Sequence, residues 1–286
     1  MKIDFSDAMA HSTMMLVKAE SILKQSLTLK PSDEKLLWSL AETLRQLGKR
    51  SEATEYYQRL LKVNPNHIIA KHLCHIFKEE PIDKSLSDSF LPTPFVRIDN
   101  FLSEDELQIV WQEIEMNKEA FQGSLVADNQ EKLNTRRSKI LFEENLTKIS
   151  PFFFSKLEEK LKLYWDHIAV ESFSPTLKEI QLTMSLDGEF FKIHRDTGEK
   201  KPTINRKVTF VYYFHSTPQK FSGGDLLLFD TNRQSKEFAA KYTRMAPTHN
   251  SLLLFPSECY HQVTPVTVDS EDFHDGRFTL NGWLHS

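Results

Sequence analysis

The sequence predicts an α+β chain: a small all-α region over residues 1–80, then a larger domain of short β runs with flanking helices. Three observations predict it. Apolar residues recur at helical spacing through the first 80 positions. From residue 181 onward, short β runs are bounded by Gly, Pro, Asn and Ser, the pattern of a sandwich or barrel. One of these runs, 181–196, ends in His194-Arg195-Asp196. In a strand, positions i and i+2 share a face, so one imidazole and one carboxylate would aim at a common point.

The all-α region reads as follows. Residues 1–30 form a helix through Met15, Leu16, Ala19, Ile22 and Leu23. Pro31-Ser32-Asp33 is a break and an N-cap. The next helix carries Leu36, Leu37, Leu40, Leu44 and Leu47 and stops at Gly48. Ser51 is expected to cap a third helix with Ala53, Tyr56, Tyr57, Leu60 and Leu61, and a further helix covers 66–79. Pro31 and Pro65 lie 34 residues apart. That period, with Leu40, Ala53 and Tyr57 in place, resembles a tetratricopeptide repeat.

Residues 81–93 are polar and proline-flanked and read as a linker. A strand over 94–99 follows. Ser103 and Glu106 then make a capping box that opens a helix through Glu119. Residues 123–140 read as a long polar loop, and a loop of that length in a compact domain is usually functional or disordered. Its basic cluster, Arg136, Arg137 and Lys139, suggests a lid whose arginines meet an anionic substrate or the mouth of a site. An amphipathic helix over 150–168, with Phe153, Leu157, Leu161, Tyr164 and Trp165, supports the sheet. The β runs are 207–214, 226–230 after Gly223-Gly224, 250–256, 260–266 and 276–284.

Composition narrows the function. At 286 residues and 40% hydrophobic content, the chain can bury a core in one large and one small domain. A net charge of −4 gives no electrostatic footprint for nucleic acid. Cys74 and Cys259 are far apart and in no ligand spacing, which excludes a disulfide framework and makes a reducing, cytoplasmic setting the expectation. No apolar run is long enough to cross a membrane, and the N-terminus lacks the apolar stretch of a secretory signal.

Two histidines and a carboxylate on one side of a metal form the facial triad of non-haem Fe(II) oxygenases, which leaves positions open for substrate and O2. His261 is the best candidate for the second histidine. His215, His249, His274 and His285 read as surface or structural.

The succession of His194-x-Asp196, the strand 207–214, the Gly-Gly turn, His261 and a late arginine closely resembles the 2-oxoglutarate/Fe(II) dioxygenases, in their prolyl 4-hydroxylase-like branch. The resemblance covers about 92–286 and implies a double-stranded β-helix (jelly roll). By the match, His194, Asp196 and His261 hold Fe(II). Arg277 pairs with the far carboxylate of 2-oxoglutarate, and its planar fork suits both oxygens. Thr279 fills the hydroxyl position of the family's Arg-x-Ser/Thr pattern. A tyrosine that the family places on the strand before His-x-Asp is missing; that strand offers Gln181 and Thr183, and Tyr212 or Tyr213 is the substitute. His261 and Arg277 are 16 positions apart, longer than usual, so an insertion at 268–275 is implied. Arg136, Arg137 and Arg206 are the substrate-binding candidates.

The implied activity is hydroxylation of an unactivated C–H with 2-oxoglutarate and O2 as cosubstrates, releasing succinate and CO2, with ascorbate a further candidate cofactor. The carboxylate of Asp196 favours hydroxylation over halogenation. By analogy with collagen prolyl 4-hydroxylases, which join a helical-repeat region to such a domain, the substrate is a peptide or protein, prolyl included, or an amino-acid-like molecule. Two rivals stand beside this reading. One is a helical-repeat interaction module with a silent β-domain; the other is a cupin-like metal enzyme, which would have no use for Arg277.

Overall fold

A computed structural model describes residues 5–83, 90–123 and 135–286. Four helices open the chain: α1 (Phe5–Leu29), α2 (Glu34–Gln46), α3 (Arg50–Val63) and α4 (Ile68–Phe77), each packed on the next. Asp33 caps α2 by accepting from the Leu36 N–H, and Gly48 ends it with φ +79°, a left-handed turn natural to glycine. The cap of α3 differs from expectation. Lys49 is its N-cap, without a side-chain bond, and Ser51 already lies inside the first turn.

Alternation sorts the β-domain into layers. Seven strands form the large sheet in the order β1 (Val96–Asp99), β10 (Ser251–Pro256), β6 (Arg206–Phe214), β13 (Arg277–His285), β4 (Leu177–Ser185), β3 (Lys139–Phe142), β2 (Gln122–Gly123). On β4, β6 and β13 the even positions, among them Leu182, Phe210, Tyr212 and Leu280, pack under helices α5 (Glu104–Met116) and α6 (Ile149–Leu161). The odd positions face a four-stranded sheet ordered β5 (Phe191–His194), β11 (His261–Val263), β8 (Leu226–Asn232), β9 (Glu237–Met245). β7 (Phe221–Gly223) and β12 (Val266–Val268) pair at the rim. These are the jelly-roll-like sheets of the expected class, with helices before them.

Some boundaries move. The capping box at Ser103 and Glu106 is present, but α5 ends at Met116 and a 3-10 turn, Lys118–Ala120, follows. Helix α6 stops at Leu161, and 162–169 are turns. The ends of the expected 123–140 loop are strand: Gln122 and Gly123 pair with Ile140 and Lys139. The centre of that loop, 124–134, and the middle of the expected linker, 84–89, lie outside the described residues.

The apolar core of α2–α4 runs without a break into the space between the sheets. Leu37, Leu40, Leu44 and Phe77 belong to one buried cluster with Phe95, Val211, Leu228, Leu253 and Phe255. From α2, Arg45 reaches Asp230 of β8. At the other end, Phe5 of α1 stacks against Phe190, just before β5.

Candidate metal and cosubstrate site

His194 ends β5 and His261 begins β11, and the two are direct cross-strand partners. Asp196 is not on the strand, as the spacing suggested; it lies in the bend just past it. The three still converge. His194 Nε2 is 3.6 Å from Asp196 Oδ1, and His261 Nε2 is 3.3 Å from Oδ2. Their candidate donor atoms all lie within 4.8 Å of one another, a group able to hold a metal ion.

Each ring is pinned from behind. His194 Nδ1 lies 2.7 Å from the Lys192 carbonyl, and His261 Nδ1 lies 3.1 Å from the Cys259 carbonyl. A carbonyl only accepts, so both Nδ1 atoms carry the proton and both Nε2 lone pairs face the centre, the usual support of a ligating histidine. Phe191 stacks on His194 at 3.5 Å between centroids, and Phe255 meets His261 edge-on at 4.9 Å. Asp196 is clamped too. Thr209 Oγ1 donates to the Asp196 Oδ2 at 2.8 Å, the Asp196 N–H donates to the Ser257 carbonyl, and Arg206 Nη1 donates to the Asp196 carbonyl. Burial would raise the Asp196 carboxyl, but His261 and His194 outweigh it and hold it well below the ordinary range. Burial, joined by neighbouring His261, lowers His194. For His261, burial is outweighed by Asp196 and the imidazole is pushed up. Two imidazoles and one ionised carboxylate, with the far nitrogens fixed, fit Fe(II).

The same cavity, about 610 Å³ including its open mouth, contains Arg277, Thr279, Thr183, Arg136 and Arg137. Arg277 is 4% exposed. Its guanidinium lies over the Tyr213 ring at 5.2 Å, its Nε is buried without a hydrogen-bond partner, and burial lowers its pKa. No carboxylate among the described residues lies within ion-pair distance of it; Asp225, the nearest acid, pairs with Arg244 at 2.8 Å. A buried guanidinium with an unsatisfied N–H is a donor awaiting an acceptor, and this fits the far carboxylate of 2-oxoglutarate. Ser185 stands directly across from Arg277 on β4. Thr183 and Thr279 both point hydroxyls at Asn281 Oδ1, at 2.9 and 3.4 Å.

Two candidates fall elsewhere. Tyr212 is an even position of β6, so it faces the helices, where its hydroxyl donates to Asn250 Oδ1; the odd neighbour, Tyr213, is the one beside Arg277. Arg206 lies outside the cavity, paired with Glu179 at 2.6 Å and stacked on Trp283 at 3.6 Å. Its contact with the site is the bond to the Asp196 carbonyl. Sequence reasoning also missed Thr209 and Phe191, which strand parity could have found, and Gly224, considered below.

Comparison with known proteins places this geometry. The 2OG-Fe(II) oxygenase superfamily matches residues 180–285. An uncharacterized PKHD-type hydroxylase of Synechocystis sp. is 34% identical over 209 residues, covering 72% of this chain and 68% of its own. Among solved structures, a Trichoplax adhaerens prolyl hydroxylase in complex with a hypoxia inducible factor oxygen degradation domain peptide fragment is similar at TM-score 0.51 and 20% identity, over 68% of this chain and 84% of that one. A Pseudomonas putida prolyl-4-hydroxylase is similar at TM-score 0.46 and 18% identity, over 68% and 92%. Fold and site together define a non-haem oxygenase of the jelly-roll type. The chain belongs to the 2OG-Fe(II) oxygenase superfamily and is a 2-oxoglutarate-dependent hydroxylase.

Proposed function

We propose that His194, Asp196 and His261 hold Fe(II), and that Arg277 and Thr279 bind the far carboxylate of 2-oxoglutarate, with Thr183 lining the same wall. The observation that carries this reading is one cavity holding both the two-histidine, one-carboxylate cluster and a buried arginine without a carboxylate partner. When bound, Fe(II) with O2 and 2-oxoglutarate supplies the oxidising chemistry, which releases succinate and CO2 and turns a substrate C–H into C–OH. The chain's own residues set the geometry. Lys192 and Cys259 carbonyls fix the imidazole faces, Thr209 and Arg206 fix Asp196, and Phe191, Val263 and Trp283 give the pocket apolar walls.

The substrate is a peptide or protein segment, prolyl residues included, or an amino-acid-like molecule. The peptide held by the Trichoplax hydroxylase supports the first. The α1–α4 stack is tetratricopeptide-like in period, and Leu40, Ala53 and Tyr57 are all fully buried in it; its contact through Phe5 with Phe190 of the cavity wall supports a share in recognition. Both cysteines are free and buried, which suits a reducing compartment. The experiment is enzyme-dependent and 2-oxoglutarate-dependent gain of one oxygen in a peptide or metabolite pool, read by mass spectrometry. Succinate release that His194→Ala leaves unchanged would refute the iron assignment.

A further inference from the structure

Three arginines line the cavity; Arg137 is solvent-exposed over Phe190, and the cosubstrate accounts for one of the two shielded ones, Arg277 and Arg136. Arg136 bridges to Phe191 along the backbone. Its Nε donates to Ser138 Oγ at 3.0 Å, its Nη2 donates to Thr183 Oγ1 at 3.3 Å, and its plane lies over the Phe191 ring at 4.9 Å. Phe191 in turn stacks on His194. One aromatic ring therefore separates this cation from a metal-ligand candidate. No carboxylate among the described residues pairs with it. The one acid that attracts it is Asp196, whose two oxygens already meet His194, His261 and Thr209. Burial pulls the Arg136 pKa down to about 10, which still leaves it charged near neutrality.

Arg136 is half-buried, and a cation partly withdrawn from water with neutral partners only gains when an anion arrives. On the reading of the site given above, the charges can be counted. Leaving aside the exposed Arg137, Fe(II) and the two shielded arginines bring four positive charges; Asp196 and the two carboxylates of 2-oxoglutarate bring three negative ones. One positive charge is left, and it belongs to Arg136, which sits between Phe191 and Thr183. We propose that Arg136 binds a carboxylate of the substrate beside the carbon that is hydroxylated, so that the substrate is an acid. The fork of Arg136 gives two-pronged recognition of that carboxylate, and Phe191 and Trp283 pack the carbon skeleton. A free amino-acid carboxylate and an acidic side chain of a peptide share this chemistry.

The test uses the full chain loaded with Fe(II) and 2-oxoglutarate without oxygen, following the metal-to-ligand charge-transfer band. N-acetylated L-amino acids are titrated as free acids and as primary amides, beside amidated peptides with one internal Asp or Glu. The expected result is saturable perturbation by at least one acid or acidic peptide, at least tenfold tighter than its uncharged counterpart. Arg136→Gln should abolish that preference and leave the 2-oxoglutarate titration unchanged, and Arg136→Lys should restore part of it. Acids and amides that bind alike, or no saturable acid, would overturn the proposal. So would a preference that survives Arg136→Gln, or a loss of 2-oxoglutarate affinity in that variant. If the wild type shows no 2-oxoglutarate-dependent band, the reading of the site fails and this one with it; a normal band with indifferent acids sinks this one alone.

Discussion

Arg45 of α2 and Asp230 of β8, 185 positions apart, form a two-pronged ion pair at 2.7 and 3.1 Å with the guanidinium fully buried. Glu42 joins them through Arg45 at 2.9 Å, and Tyr57 donates to Glu42 at 2.6 Å. Removing Arg45 strands two buried carboxylates. Breaking a buried pair by losing one partner costs about 3–5 kcal/mol. Arg45→Ala is therefore expected to lower stability by that order in urea denaturation. An unchanged midpoint would show that the pair does not anchor the helices.

A chain beginning at Pro92 should not fold cooperatively. The linker expected at 81–93 would set the helices apart from the β-domain. The shared core shows instead that removal would bare Val211, Leu228, Leu253 and Phe255. The expected outcome is aggregation or loss of a thermal transition. A soluble, cooperatively melting fragment would contradict it.

Arg277→Ala should weaken 2-oxoglutarate binding by on the order of a hundredfold or more, since about 3–5 kcal/mol is at stake at roughly 1.4 kcal/mol per decade. Fe(II) affinity should stay nearly intact. Arg277→Lys should recover part, because an ammonium lacks the fork. The measurement is a 2-oxoglutarate titration of the anaerobic Fe(II) protein.

Gly224 makes room for that arginine. Its φ is +67°, and a Cβ there would lie 2.4 Å from Arg277 Cδ. Gly188 shares a positive φ, +70°, but has nothing within 4 Å. Both Gly→Ala variants should lose about 1–2 kcal/mol of stability from backbone strain. Only Gly224→Ala should also weaken 2-oxoglutarate binding, by displacing the guanidinium. Equal affinities in the two variants would remove Gly224 from the cosubstrate site.

His72 gives a pH dependence. It is buried in α4, with Nε2 3.3 Å from the Pro92 carbonyl, and burial lowers its pKa below the ordinary value. The unfolded chain then binds the proton more readily than the folded one. The stability tied to a neutral His72 is complete above the unfolded pKa, about 6.5, and is lost as pH falls through the lower folded value. His72→Gln should flatten the fall in stability below about pH 6.5 relative to wild type. Parallel curves for the two proteins would mean that His72 does not contribute.

Much of this was legible because strands announce themselves by parity. The odd positions of β13 put Arg277, Thr279 and Asn281 on one wall, as period-two alternation requires. The same rule separates Tyr213 from Tyr212, and choosing between them required knowing which face of β6 the helices cover. Asp196 reached the site without being in a strand, because the bend after β5 is held by Ser257, a residue from a turn 61 positions later. No local pattern encodes such a contact. Nor did helical periodicity say that α2 would seal a β-sandwich: its apolar stripe is the same whether it meets another helix or Phe255.

His194 and His261 are opposite one another on two short strands; within its sheet β5 pairs with β11, and its other side meets the backbone of 135–137 through the Arg136–Phe191 bridge. A slip of one residue between them would send one imidazole to the far face. If Fe(II) is held as proposed, a chain with β5 and β11 paired out of step would form no chelate and gain none of the metal's stabilisation. The register already shifts between His261 and Val263, so the ligand pair sits at the last position where the two strands are in step.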